Sequence, residues 1–97
     1  MLKKGPVDGG KREVTFALPA DVGGSEVHLC GEFNDWSQTS LPLLRGDDGG
    51  YSVVVLLEAG CRYRYRYLID GSRWENDWAA DEYLPNEFGG EDSVVEA

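Results

Sequence analysis

The residues best suited to chemistry in this chain are aromatic and guanidinium groups rather than nucleophiles. Trp36 sits in a polar turn, Asn34-Asp35-Trp36-Ser37, and Trp74 lies just past an Asp70-Gly71 step. Both fall at strand ends, where a core tryptophan is not expected. An indole there exposes apolar surface unless something covers it. Either each tryptophan packs down as a lid on the core, or the two form an aromatic platform. A flat indole suits the C–H face of a pyranose ring, because each is an apolar plate with a polar rim. The same physics enriches Trp and Tyr at interfaces. Arg62, Arg64 and Arg66 alternate along one segment and reverse the local sign of an acidic chain. They are either a solvated face paired with neighbouring carboxylates or donors for ligand hydroxyls, since each guanidinium carries five N–H groups in a planar fork.

Catalytic constellations are missing from the sequence. It has no G-x-S-x-G elbow, P-loop, H-E-x-x-H or G-x-G-x-x-G. The one histidine, His28, reads as a surface residue of a strand, and Asp47-Asp48 as a solvated turn. With one His and two Cys, Cys30 and Cys61, a Cys/His zinc site has too few ligands, and no cofactor is implied. The cysteines read as reduced thiols of a reducing compartment. Nine Lys and Arg stand against 18 Asp and Glu, a net charge of -9. Nucleic acid needs phosphate neutralisation and anionic membranes attract basic surfaces, so both are excluded as partners. Neutral ligands are not. No apolar run approaches a membrane span, the N-terminus lacks the apolar stretch of a signal peptide, and a cytoplasmic protein is expected.

The elements that must position these residues are strands. At 97 residues the chain is sized for one domain with one modest core. Residues 1–10, rich in Gly, Pro and Lys, read as a loose, flexible leader, and 11–97 as the single domain. Val14, Phe16 and Leu18 alternate with polar or small neighbours. So do Val27, Leu29 and Phe33, with Gly31 at a bulge or close approach. Residues 41–45 contain Pro42 and read as an edge strand or bend. Residues 51–57 are the most apolar run, with Val54 and Leu56 on the face away from Val53 and Val55. In 61–70, Tyr63, Tyr65, Tyr67 and Ile69 take one side and the arginines the other. Asp70-Gly71-Ser72 is a hairpin turn leading to Arg73-Trp74-Glu75. Residues 76–92 read as irregular, and 93–97 as a closing strand. About seven short strands without helical period predict two sheets packed face to face, an all-β sandwich.

Several segments together resemble the family 48 carbohydrate-binding modules: V-H-L-C-G-E-F-N-D-W at 27–36, Pro42-Leu43, Y-R-Y-L-I-D-G-S-R-W at 65–74, and F-G-G-E-D-S-V-V at 88–95. That family includes the glycogen-binding domain of the AMP-activated protein kinase beta subunit and the early-set domains of isoamylases and branching enzymes. The resemblance covers roughly residues 11–97. It implies an immunoglobulin-like β-sandwich, no catalysis of its own, and an α-glucan ligand such as glycogen, starch or maltodextrin. By that resemblance Trp36 and Trp74 match stacking tryptophans, and Arg66 falls at a sugar-contacting lysine with Arg64 in support. Phe88 falls at a bracing leucine, and Asp92 at an asparagine that hydrogen-bonds sugar hydroxyls. Three positions depart from the pattern. Gly90 stands for a threonine, Asp92 keeps acceptors but loses the amide donor, and Trp78 stands near a usual proline.

Two functions follow. One is a non-catalytic α-glucan-binding module. The other is an interaction or scaffold module that kept the fold, docking on a glycogen-metabolising enzyme or kinase-like complex through outward Val54 and Leu56. Exposed Trp36 and Trp74 on one face favour sugar. Buried tryptophans with an exposed Val54/Leu56 patch favour protein.

Overall fold

The described residues form nine strands, and alternation along three of them, 11–18, 51–58 and 62–69, decides which of their side chains meet the core. The computed structural model describes residues 2–97. In chain order the strands are β1 Leu2–Asp8, β2 Lys11–Leu18, β3 Val27–Gly31, β4 Leu44–Arg45, β5 Tyr51–Glu58, β6 Arg62–Ile69, β7 Arg73–Glu75, β8 Glu82–Pro85 and β9 Glu91–Glu96. They form two antiparallel sheets, ordered β1-β2-β5-β4 and β3-β6-β9-β8, with β7 also paired to β6. The sheets pack as a sandwich, as the alternating pattern predicts. Val14, Phe16, Leu18, Tyr51 and Leu57 come from one sheet, and Val27, Leu29, Tyr65, Tyr67, Ile69 and Val95 from the other. Phe16 meets Tyr65 edge-on across the layer, ring centroids 5.0 Å apart, the geometry that aromatic quadrupoles favour.

Two strands lie where the sequence pattern gave none. Residues 2–8, expected as a loose leader, form β1 and pair with β2 from Leu2↔Phe16 to Asp8↔Lys11. Gly5, Pro6 and two lysines hide the alternation, but Gly9 and Gly10 both adopt positive φ (60° and 80°). Two such residues close a tight hairpin, and only glycine does so freely. Within the expected irregular stretch 76–92, Glu82–Pro85 forms β8, pairing with β9. Segment 41–45 is both edge and bend. Leu29 N–H donates to the Leu41 carbonyl and Leu43 N–H to the Val27 carbonyl, and then Leu44 and Arg45 pair with β5 in the opposite sheet.

The β6–β7 hairpin turns at Asp70, whose φ is 53°. Its Oδ1 accepts the N–H groups of Ser25 (2.8 Å) and Glu26 (2.9 Å), tying the turn to the start of β3. Those two donors, Glu26 first, hold the Asp70 carboxyl below its ordinary value. Gly31 is the expected close approach: a Cβ there would lie 2.7 Å from the Arg64 carbonyl oxygen and from the Phe33 ring. Cys30 is buried and Cys61 exposed, both as free thiols, and burial pushes the Cys30 thiol up. No helix among the described residues is long and apolar enough to cross a membrane.

Candidate functional site

The outward side of β6 and the loops flanking it build a groove of about 770 Å³. Trp36, Arg64, Arg66, Trp74, Phe88 and Asp92 all line it. These six come from four separate stretches of chain: the loop after β3, β6, β7, and the β8–β9 loop with the start of β9.

Trp36 is held by its loop. The Asn34 side chain accepts the Gly31 N–H (2.9 Å) and donates to the Leu29 carbonyl (3.1 Å) and the Ser40 hydroxyl (3.0 Å). The Trp36 N–H returns to the Gly31 carbonyl at 2.8 Å. Asp35 and Trp36 both sit in left-handed backbone, φ 53° and 58°. For a bulky side chain that conformation is costly and persists only where its surroundings over-determine it. Trp36 is half-buried, while Trp74 is 38% exposed. Trp74 stands opposite Leu68 on β6, and the Arg66 guanidinium lies 5.7 Å from its ring centroid. That cation–π contact orients the indole.

The arginine ladder divides. Arg62 points away from the groove and pairs with Glu82 and Glu96. Arg64 donates to the Pro85 carbonyl (3.1 Å) and to Asp92 Oδ2 (3.3 Å). Among the described residues Arg66 alone of the six arginines has no hydrogen-bond acceptor, and its Nε is buried. An unsatisfied buried donor is costly unless a ligand or water completes it. Asp92 is 7% exposed, and its Oδ1 accepts Asn86 Nδ2 at 3.1 Å. Phe88 is 86% exposed. The charged lining residues balance, with Arg64 and Arg66 against Glu87 and Asp92. The groove therefore offers apolar plates and hydrogen-bond donors without net charge, which suits a neutral polar ligand.

Gln38, Pro85, Asn86 and Glu87 also line the groove, unmarked by the sequence reading. The Asn86-x-x-Gly89-Gly90 pattern was the available signal, because Asn turns its own backbone two residues on. Trp78 does not line the groove. It is half exposed, with its indole N–H 3.4 Å from Glu75 Oε1. Beneath lies an unanticipated buried carboxylate, Asp77, 2% exposed. Its Oδ2 accepts the Tyr65 hydroxyl (2.8 Å) and the Tyr67 hydroxyl (3.1 Å), and its Oδ1 the Ala79 N–H (3.0 Å). Burial, with Asp77's charge adding to it, pushes both phenols well above their ordinary range. Among the described residues no group of three His, Cys, Asp or Glu side chains is placed to hold a metal ion.

A family model described as the glycogen recognition site of AMP-activated protein kinase matches residues 14–95. The chain belongs to this family. It is a recognition module, not a catalytic one. The chain is 31% identical over 74 residues to 5'-AMP-activated protein kinase subunit beta-1 of Sus scrofa, covering 76% of this chain and 56% of that protein. The corresponding Homo sapiens subunit is 30% identical over 74 residues, and there the match covers 25% of the relative. The 1,4-alpha-glucan branching enzyme GlgB of Aquifex aeolicus (strain VF5) is 36% identical over 69 residues, 70% of this chain and 11% of the enzyme. The chain thus spans about half or less of the length of each.

Proposed function

We propose that the groove binds α-glucan, with Trp36 and Trp74 stacking on sugar rings. The observation that carries this reading is the juxtaposition of two accessible indoles, set by different elements, beside Arg66, an arginine whose donors are unspent. Arg66 donates to ring hydroxyls, Arg64 supports it from the same strand, and Phe88 braces the outer edge. The match to a glycogen recognition family supports the ligand class. A shallow site of this kind binds on the order of micromolar to millimolar. Two unpaired thiols, one of them exposed, fit a reducing, cytoplasmic setting.

Titration with maltoheptaose and β-cyclodextrin, read by tryptophan fluorescence with cellohexaose as control, tests the reading. Saturable shifts with the α-glucans alone are expected, and the Trp36→Ala/Trp74→Ala variant should lose them while remaining folded. Equal binding by that variant would put the platform elsewhere.

A second reading is favoured by the outer face of the other sheet. Leu44, Val54 and Leu56 are 73%, 54% and 64% exposed there. Exposed aliphatic side chains on a sheet face mark a protein contact. Relatives named as kinase subunits point to a kinase complex. Val54→Glu/Leu56→Glu should abolish co-elution with a catalytic kinase subunit and leave sugar titrations unchanged. Failure of the unsubstituted domain to co-elute would discard this partner.

A further inference from the structure

We infer that Asn86 is a positioning residue of the groove, and that Asp92 serves it as an anchor rather than meeting the ligand. This rests on the glucan reading. Phe88 has almost nothing to pack against, so backbone hydrogen bonds alone must fix where its ring stands. Asn86 supplies them. Its Oδ1 accepts the N–H groups of Phe88 (3.0 Å) and Gly90 (3.1 Å). Its own N–H donates to the Gly90 carbonyl at 2.9 Å, and its carbonyl accepts the Gly89 N–H at 3.4 Å. Loop 86–90 is therefore closed around one side chain.

One further bond joins that loop to the sheet, Asn86 Nδ2 to Asp92 Oδ1. The second Asp92 oxygen accepts from Arg64. Each carboxylate oxygen of Asp92 already accepts one hydrogen bond and the residue is only 7% exposed, so little of it is open to a sugar. A continuous chain of hydrogen bonds runs from β6 through Arg64, Asp92 and Asn86 to the backbone N–H of Phe88, which carries the ring. Asn at 86 is required by this chain, because it must accept twice and donate once. A carboxylate there would lose the donor and face Asp92.

The consequence is that the loop is ordered before ligand arrives, and losing Asn86 makes the ligand order it. Asn86→Ala is expected to weaken maltoheptaose binding about tenfold in calorimetric titration, about the cost of fixing one backbone residue. In the free protein it should accelerate amide exchange at Phe88 and Gly90 and leave β6 and β9 amides unchanged, which also reports that the domain is folded. Phe88→Ala should weaken binding too. Adding Asn86→Ala to it should cost nothing further, since the loop then has no ring to position. Asn86→Asp should weaken binding more at low salt than at high, through its repulsion with Asp92. Unchanged exchange at Phe88 in Asn86→Ala, unchanged affinity, or a full additional loss in the Phe88→Ala background would each overturn the inference. If the unsubstituted domain binds no maltoheptaose, the glucan reading fails, and the exchange comparison alone decides whether Asn86 orders the loop.

Discussion

Replacing Asp77 by Ala should cost this domain a large part of its stability. The carboxylate lies in the core, and the hydroxyls of Tyr65 and Tyr67, both themselves fully buried, donate to its Oδ2. Ala leaves two phenol hydroxyls with no acceptor in a region closed to water. An orphaned buried hydroxyl costs about 1–3 kcal/mol, so the two together cost about 2–6 kcal/mol. Domains of this size have only about 5–15 kcal/mol in total. At about 4–8 °C per kcal/mol, the midpoint of thermal unfolding should fall by roughly 10 °C or more. Urea titration followed by tryptophan fluorescence gives the difference, provided the slope of the transition is unchanged. The decisive comparison adds Tyr65→Phe and Tyr67→Phe. In the native background each deletes a partner of a buried carboxylate and should destabilise. In the Asp77→Ala background each removes an orphan and should restore stability. A loss below about 1 kcal/mol for Asp77→Ala, or phenylalanines that destabilise equally in both backgrounds, would refute the reasoning.

Two further outcomes follow from the same core. Tyr65 and Tyr67 have their phenols raised above the ordinary value near 10 by burial, so the native state keeps two protons that the unfolded chain releases. Their contribution is complete below about pH 10 and is lost above it, by about 1.4 kcal/mol per pH unit for each. The phenolate absorbance of Tyr65 and Tyr67, two of the five tyrosines, should therefore appear only together with alkaline unfolding, and an earlier, separate step that is lost in the Tyr65→Phe or Tyr67→Phe variant would contradict the burial argument. Gly31→Ala sets a methyl 2.7 Å from the Arg64 carbonyl oxygen, where backbone must yield, and should cost about 1–3 kcal/mol in urea titration. Since Trp36 N–H bonds to the Gly31 carbonyl, the same variant should also weaken α-glucan binding.

The strands with two-sided chemistry were legible, because a period of two shows wherever tyrosine faces arginine or valine faces threonine. β2, β3, β5 and β6 fall where the alternation puts them. The strand β1 was not, since Gly5, Pro6 and two lysines carry no apolar face. It is held by backbone pairing to β2 and by the Gly9-Gly10 turn. β8 was hidden by its own ending at Pro85 and its short length. The six residues singled out for the groove came from aromatic placement and family motif, and the structure gathers all of them in one lining. Asp77 gave no signal as one acid in a polar run. Its place was written instead in the tyrosines, whose inward hydroxyls on β6 required a buried acceptor. Asn86 left a fainter trace, an asparagine just ahead of the Gly89-Gly90 pair, and its role shows in the hydrogen bonds that close the loop on it.

β6 also separates two kinds of selection. Its odd-numbered residues Tyr65, Tyr67 and Ile69 carry the core, while Arg64 and Arg66 face the groove from the positions between them. Substitutions at Arg64 and Arg66 alter what the groove accepts without removing a side chain from the hydrophobic interior, whereas Leu68 at the next even position is itself buried. A lineage can thus exchange arginine for other donors and drift among ligands while the sandwich stays intact. Insertion or deletion of one residue within the strand does the opposite: it exchanges the two sets at a stroke, and fold and recognition are lost together. Variation in descendants of this chain should accordingly run through replacements in β6 and through length changes only in the loops beside it.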